Sequence, residues 1–161
     1  MQHTAYLSLG SNLGDRRANL DTAIQRLAAI GDIVVVSSIY ETEPMEVTDQ
    51  PWFLNCALSL RTAVSAGELL TFMLRVEKEM GRVRTQPKGP RLIDLDILLF
   101  DDLVSHSPRL RVPHPALHER RFVLQPLAEI APLARHPVLN RTIEELLQAL
   151  PAGDAQVRRI G

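Results

Sequence analysis

Residues 53–81, with the sequence FLNCALSLRTAVSAGELLTFMLRVEKEMG, contain the pattern that decides the fold class. Residues 53–62 alternate between apolar and other side chains well enough to predict a strand. Ser65 and Glu68 then form a capping box, which predicts the start of a helix. Apolar residues recur at helical spacing after it, and Gly81 ends the pattern. The stretch therefore predicts a strand followed directly by an amphipathic helix.

The segments on either side add strands and a second helix in a recognisable order. Residues 5–9 predict a strand, Asp15 caps a helix over residues 16–29, and the β-branched run 33–42 predicts the next strand. Beyond the second helix, residues 92–100 predict another strand. The order strand, helix, strand, strand, helix, strand is typical of the ferredoxin-like split βαβ fold, an α+β class with an antiparallel sheet covered by helices.

The last third of the chain predicts shorter elements. We expect an extended piece at residues 110–112, a helix over 119–130 that carries Pro126, and a short helix that a capping box opens at Thr142. We expect the tail from Pro151 to be loosely held. The length of 161 residues fits a single domain over residues 1–161.

The composition excludes several classes of protein. A formal net charge of −1 argues against a general binder of nucleic acid or of membrane surfaces. No stretch approaches the roughly 20 apolar residues of a membrane helix, and the first residues lack the pattern of a signal peptide. We therefore expect a cytoplasmic protein without a nucleic-acid or membrane partner, and a monomer because nothing demands an interface. Cys56, the one cysteine, lies in an apolar run and is interpreted as a core residue.

Two aspartates stand out in the predicted strand 92–100. Alternate residues of a strand project to the same face, so Asp94 and Asp96 project together, whereas their neighbours project into the core. Adjacent carboxylates repel each other unless a cation compensates, and Mg²⁺ prefers one or two carboxylates together with phosphate oxygens. The alternative is a polar strand face that is exposed to water.

Arginines in the polar loop 82–91 strengthen the metal hypothesis. Arg82, Arg84 and Arg91 precede the aspartate strand. Arginines beside metal-binding carboxylates form a place for a polyphosphate, because they neutralise charge on a transferred phosphoryl group. The alternative is a solvated loop whose arginines pair with glutamates.

Three further residues have both a functional and a structural interpretation. His114 lies between two prolines, which would hold it rigidly, and it could bind a phosphate or order a loop. Phe53 and Phe122 stand beside polar residues at the predicted starts of elements. This position suits rings that stack on a flat heterocycle, and it equally suits ordinary core residues. The sequence contains no P-loop, dinucleotide-binding fingerprint, zinc-type cluster or nucleophile elbow.

Taken together, these segments resemble the 6-hydroxymethyl-7,8-dihydropterin pyrophosphokinase family. The resemblance runs from about residue 5 to residue 132, and the pair formed by GPRxxDLDxxxF and the following VPH is highly specific. The matching stretches are residues 9–13, 40–44, 49–51, 53–55, 81–84, 89–96, 112–114 and 120–122.

The resemblance implies a reaction and a set of site residues. ATP would be the co-substrate, two Mg²⁺ ions would lie between Asp94, Asp96 and its phosphates, and the hydroxymethyl oxygen of the pterin would attack the β-phosphorus. Arg82 and Arg91 would be catalytic. The implied ATP contacts are Glu77, Arg82, Arg84, Arg91, Ile97, Arg109, His114 and Arg120, and the implied pterin contacts are Thr42, Pro44, Met45, Phe53, Asn55 and Phe122.

Two other functions remain open at this stage. A metal-dependent nucleotidyltransferase could use the same aspartates, and it would release pyrophosphate where the pyrophosphokinase releases AMP. A ferredoxin-like regulatory module could bind a small ligand without catalysis, because this fold carries many functions. Such a module would not need Asp94 and Asp96 on one face.

Overall fold

An antiparallel sheet with helices on both faces forms the centre of the molecule. The structure, a computed structural model, describes residues 1–43, 51–81, 92–152 and 157–161. Its strands are β1 (His3–Ser11), β2 (Asp32–Val36), β3 (Tyr40–Thr42), β4 (Phe53–Thr62), β5 (Asp94–Phe100), β6 (Ser105–His106), β7 (Arg111–Val112) and β8 (Val157–Arg159). Its helices are α1 (Arg16–Leu27), α2 (Ala66–Glu79), α3 (Arg121–Ile130) and α4 (Ile143–Gln148), with a short 3₁₀ helix over Leu117–Glu119.

The strand order confirms the predicted fold class. The main sheet runs β5-β1-β4-β3-β8, and β2 also pairs with β4. All of these pairs are antiparallel, and β6 forms a separate hairpin with β7. The two long central strands, β1 and β4, therefore have β5 on one side and the short strands on the other, as in a ferredoxin-like sheet.

The alternation of side chains along the central strands separates two cores. Leu7, Leu9 and Leu58 face α1 and α2 and belong to the larger core. Ala57 and Leu98 face α3 and α4 and belong to the smaller core. A sheet that is covered on both faces needs apolar side chains in both directions.

Local signals set the helix ends as predicted. The Asp15 side chain accepts a hydrogen bond from the Ala18 amide at 3.1 Å and caps α1. Both capping boxes form, at Ser65 for α2 and at Thr142 for α4. Gly81 follows α2 with a φ of 91°, a conformation that favours glycine.

The single strand predicted over residues 33–42 is wrong, because the ladder with β4 is interrupted after Val36 and resumes at Tyr40. The Ser37 amide donates to the Ala57 carbonyl at 2.8 Å, and the Ser37 hydroxyl accepts from the Ala57 amide at 2.9 Å. The side chain thus replaces a main-chain carbonyl in the ladder, and β2 ends. Glu129 of α3 then accepts from the Ser38 amide at 2.9 Å, so this amide is bonded outside the ladder before β3 begins.

Two other expectations need correction. The helix predicted over 119–130 begins at Arg121, because residues 117–119 form the 3₁₀ turn. The tail predicted to be loosely held instead includes an edge strand, Val157–Arg159, which pairs with β3. Within the described residues, no helix is both long enough and apolar enough to cross a membrane.

Candidate active site

The two aspartates lie at the start of β5, beside β1. Asp94 pairs with Gly10 and Asp96 pairs with Ser8. Both aspartates are partly exposed, whereas Leu95 between them is buried on the opposite face. The structure therefore confirms that the two carboxylates project from the same face of the sheet.

A buried glutamate ties this strand to helix α2. Glu77 is only 3% exposed, and its Oε2 accepts a hydrogen bond from the Leu95 amide at 2.7 Å. A buried carboxylate needs such partners, because its desolvation is costly. Since Leu95 lies between Asp94 and Asp96, this bond fixes the backbone that carries both. The predicted ATP contact of Glu77 stays a prediction.

His114 reaches the aspartates from the segment after β7. Its Nε2 lies 3.9 Å from Asp96 Oδ1, and its backbone amide donates to the Leu98 carbonyl at 3.0 Å. Its Nδ1 accepts from the Ala116 amide at 3.1 Å, so the neutral ring carries its proton on Nε2. A cis peptide joins Val112 to Pro113 just before it. The ring is therefore held with its Nε2–H directed toward the aspartates.

The electrostatics of the site favour a neutral His114 ring. Burial lowers the pKa of His114 from its ordinary value, and the charge of Arg120 lowers it further. The carboxylate of Asp94 acts in the opposite direction on the same pKa. Because burial is the largest of these effects, the ring can donate a hydrogen bond at neutral pH without carrying a charge.

A second group of predicted residues lies on the neighbouring strand β4. Asn55 is buried, and its Nδ2 donates to the Thr42 hydroxyl on β3. Asn55 pairs with Gly10 of the neighbouring strand β1. A Cβ atom placed on Gly10 would lie 2.8 Å from Asn55 Oδ1 and 3.4 Å from the Phe53 ring. Only a residue without a side chain allows this approach. Phe53 and Asn55 therefore project from the same face as the aspartates.

The register places the two groups side by side. Gly10 pairs with Asn55 on one side and with Asp94 on the other, so the three residues form a row across β4, β1 and β5. Neighbouring strands lie about 4.8 Å apart, so Asn55 and Asp94 are separated by about 10 Å. The amide and aromatic side chains of β4 thus lie beside the carboxylate pair.

The remaining predicted residues are less closely grouped. Phe122 lies in the first turn of α3, partly buried, with the Arg120 guanidinium 5.7 Å from its ring centre. Ile97 has its side chain in the larger core. Arg109 donates to the Thr71 hydroxyl of α2 at 2.6 Å, beside a cavity of about 620 Å³. The roles predicted for Ile97, Arg109 and Arg120 stay predictions.

Five predicted residues lie outside the described residues. The residues concerned are Pro44, Met45, Arg82, Arg84 and Arg91. Within the described ranges, no group of three or more histidine, cysteine or acidic side chains has the geometry of a metal site. Two carboxylates on one face still fit Mg²⁺, because this ion is bound by one or two carboxylates and completes its shell with phosphate oxygens and water.

Sequence reasoning missed several residues around the pocket. Gly10 and Ser8 face the site, and strand alternation combined with a strand register could have found them. Glu41, Trp52 and Arg158 form a group beside Thr42 and Phe53, as described below. Their contacts join distant parts of the sequence, so no local signal could have found them.

The fold and the site together define a ferredoxin-like domain with a carboxylate pair beside aromatic and amide side chains. Residues 6–132 match the family described as 7,8-dihydro-6-hydroxymethylpterin-pyrophosphokinase. The chain belongs to this family.

Individual relatives are similar over most of the chain. The 2-amino-4-hydroxy-6-hydroxymethyldihydropteridine pyrophosphokinase of Methylorubrum extorquens is 48% identical over 156 residues, which cover 95% of this chain and 98% of that protein. The folic acid synthesis protein fol1 of Schizosaccharomyces pombe is 47% identical over 150 residues, which cover 92% of this chain and 20% of that protein. The chain thus spans about a fifth of the length of that longer relative.

Solved structures agree on the fold. The crystal structure of Plasmodium falciparum wild-type HPPK-DHPS with pteroate superposes with a TM-score of 0.75 at 18% identity. The match covers 92% of this chain and 42% of that chain. At this level of identity the likeness shows the ferredoxin-like fold alone.

Proposed function

We propose that this protein transfers the pyrophosphoryl group of ATP to the hydroxymethyl oxygen of 6-hydroxymethyl-7,8-dihydropterin and releases AMP, a step of folate biosynthesis. The observation that carries the proposal is the row formed by Asn55, Gly10 and Asp94. This row sets a pocket suited to a flat, hydrogen-bonding heterocycle about 10 Å from a carboxylate pair suited to a metal-bound polyphosphate. Family membership supplies the identity of both substrates.

The pterin would lie between the rings of Phe53 and Phe122. Asn55 can read the edge of a pterin, because an asparagine amide offers both a hydrogen-bond acceptor and donors. The hydrogen bond from Asn55 to Thr42 orients this amide, and Gly10 leaves its Oδ1 uncovered by a side chain. Thr42, Pro44 and Met45 would complete the recognition of the same edge.

Asp94 and Asp96 would hold Mg²⁺, as two ions, against the phosphates of ATP. Ions bound there would neutralise the negative charge of the phosphates during transfer. Glu77 keeps the two aspartates in register through the Leu95 amide. His114, with its proton on Nε2, would donate to a phosphate oxygen beside Asp96.

The chemical step is an in-line displacement. The hydroxymethyl oxygen forms a bond to the β-phosphorus, the bond from that phosphorus to the bridging oxygen of the α-phosphate breaks, and AMP leaves with that oxygen. The hydroxyl proton passes to solvent. Arg82 and Arg91 would stabilise the charge that develops on the transferred group, and Glu77, Arg84, Ile97, Arg109 and Arg120 would position the nucleotide.

The proposal is tested by the identity of the nucleotide product. The protein, ATP, Mg²⁺ and the dihydropterin are mixed and the nucleotides are separated. We expect AMP to appear in proportion to the pterin consumed. ADP would contradict the proposal, and pyrophosphate release would favour a nucleotidyltransferase.

A matched pair of variants tests the carboxylates. Asp96→Asn should abolish AMP formation and leave the folded structure intact. Asp102→Asn is the control, because it makes the same change at an exposed residue just after the same strand. Equal activity in the two variants would contradict the role of Asp96. Removing Mg²⁺ with a chelator should stop the wild-type reaction.

We also propose that residues 1–161 form one domain that acts as a monomer in the cytoplasm. The family match over residues 6–132 and the free, buried thiol of Cys56 support a single domain in a reducing compartment. Light scattering after size exclusion should give one mass, close to 18.0 kDa. A stable mass of twice this value would contradict the monomer.

A further inference from the structure

The last strand lies against the edge of the strand that carries Thr42. In the ladder between β8 and β3, Val157 pairs with Thr42 and Arg158 pairs with Glu41. The Ile160 amide donates to the Ile39 carbonyl at 2.8 Å and extends the ladder. The three-residue strand β3 therefore pairs with β4 on one side and with β8 on the other.

The Arg158 side chain, on β8, contacts both Glu41 of β3 and Trp52, the residue before β4. Its Nη2 donates to Glu41 Oε1 at 2.6 Å, and its Nε lies 3.3 Å from the same oxygen. Its guanidinium carbon lies 5.2 Å from the centre of the Trp52 ring, the geometry of a cation–π contact. One guanidinium group therefore connects a side chain on β3 with the residue that precedes β4.

Arg16 makes the matching contacts from the start of α1. Its Nη1 donates to Glu41 Oε2 at 3.1 Å and to the Trp52 carbonyl at 2.7 Å. Both oxygens of Glu41 are thus bound by arginines, and Trp52 is held by its ring and by its carbonyl. We call these four residues, Arg16, Glu41, Trp52 and Arg158, the arginine clamp.

The clamp lies next to the proposed pterin contacts in the sequence. Glu41 precedes Thr42, and Trp52 precedes Phe53. The Asn12 side chain adds a further hold on this segment by donating to the Pro51 carbonyl at 3.1 Å. Any shift of the clamp would move Thr42 and Phe53 relative to each other.

The clamp should affect position more than stability. The Arg158 side chain is 64% exposed, so water and salt screen its attraction to Glu41. The geometry, in contrast, is specific, because a planar guanidinium both binds a carboxylate and stacks on an aromatic ring. A lysine could reproduce the charge but not this combination.

We propose that Arg158 is a positioning residue for the pterin site, acting through Glu41 and Trp52 to hold Thr42 and Phe53 in place. The proposal rests on the proposed function. It adds that the substrate pocket is completed by a segment beyond the family match, which ends at residue 132. Arg158 itself need not touch either substrate.

The test compares three variants of the whole chain in the steady-state AMP assay. We expect Arg158→Ala to raise the KM for the pterin by about tenfold, with the KM for ATP and kcat within about twofold of wild type. The pterin KM of Arg158→Lys should fall between those of wild type and Arg158→Ala. Arg159→Ala is the control, because it removes the same charge from the same strand at the position that alternates to the other face.

The fluorescence of Trp52 gives a second readout, because it is the only tryptophan in the chain. Its emission should shift to longer wavelength in Arg158→Ala and stay unchanged in Arg159→Ala, since only Arg158 covers the ring. If Arg158→Ala does not fold, Glu41→Gln provides the test, because it weakens both arginine contacts and should raise the pterin KM in the same direction.

Three results would overturn the positioning role. The first is an unchanged pterin KM in Arg158→Ala, and the second is an equal rise of the KM values for pterin and ATP. The third is the same pterin effect in Arg159→Ala. A wild-type protein that forms no AMP from the pterin would instead refute the proposed function, so the two failures are distinguishable.

Discussion

Gly10 offers the sharpest test of how the pocket is built, because it has no room for a side chain. A Cβ atom at this position would lie 2.8 Å from Asn55 Oδ1, whereas ordinary contacts begin at 3.4 Å. Gly10→Ala should therefore push the Asn55 amide away by about 0.6 Å. The Phe53 ring lies at 3.4 Å and limits the movement on that side.

The expected loss follows from the position of this amide. A misplaced hydrogen-bonding group in a buried site costs about 1–3 kcal/mol. At about 1.4 kcal/mol for each factor of ten, the pterin Kd should rise roughly 5- to 150-fold. The Kd for ATP should stay within about twofold, because the crowded atoms all belong to Asn55 and Phe53.

Calorimetric titration of Gly10→Ala with each substrate measures both constants. Gly67→Ala is the control, since its new Cβ would meet only the Ser65 hydroxyl at 4.0 Å. This control should bind both substrates normally and be more stable by up to about 1 kcal/mol. Normal pterin binding in Gly10→Ala, or an equal loss of ATP binding, would show that Gly10 does not position Asn55 for the pterin.

Three further predictions concern buried and paired groups. Glu77→Ala should lower the free energy of unfolding by about 1–3 kcal/mol, because the Leu95 amide loses its acceptor. Urea unfolding should show a smaller decrease in this free energy for Glu77→Gln. Equal decreases in the two variants would contradict a stabilising role of this hydrogen bond. Burial raises the pKa of the Cys56 thiol to about 12, so a thiol reagent at neutral pH should label the native protein no faster than it unfolds. Arg158, and then Arg16, lower the pKa of Glu41 below its ordinary value of 4.5, so the stability that Glu41 contributes should be complete above pH 4.5 and disappear as the pH falls through the lowered pKa. The difference in Tm between wild type and Glu41→Gln should therefore shrink in acid, and a constant difference would contradict this origin.

Much of the fold could be predicted because its signals are local. The capping boxes at Ser65 and Thr142, the Asp15 cap and the alternation in residues 53–62 each predict an element without reference to the rest of the chain. The same-face placement of Asp94 and Asp96 also follows from local strand geometry.

The failures involve contacts between distant residues. The interruption between β2 and β3 depends on the bonds of Ser37 with Ala57 and on the carboxylate of Glu129, which lies 91 residues from Ser38. The pairing of Arg158 with Glu41 spans 117 residues. Neither contact leaves a periodic pattern in the sequence, so the interruption after β2 and the last strand could be found only in the folded chain.

The proposed function requires that the transferred group is pyrophosphoryl, with attack at the β-phosphorus. Phosphorus NMR of the pterin product formed from ATP identifies this group. We expect two coupled phosphorus resonances on the product, in an amount equal to the AMP released. A product with a single, uncoupled phosphorus resonance, formed together with ADP, would contradict it.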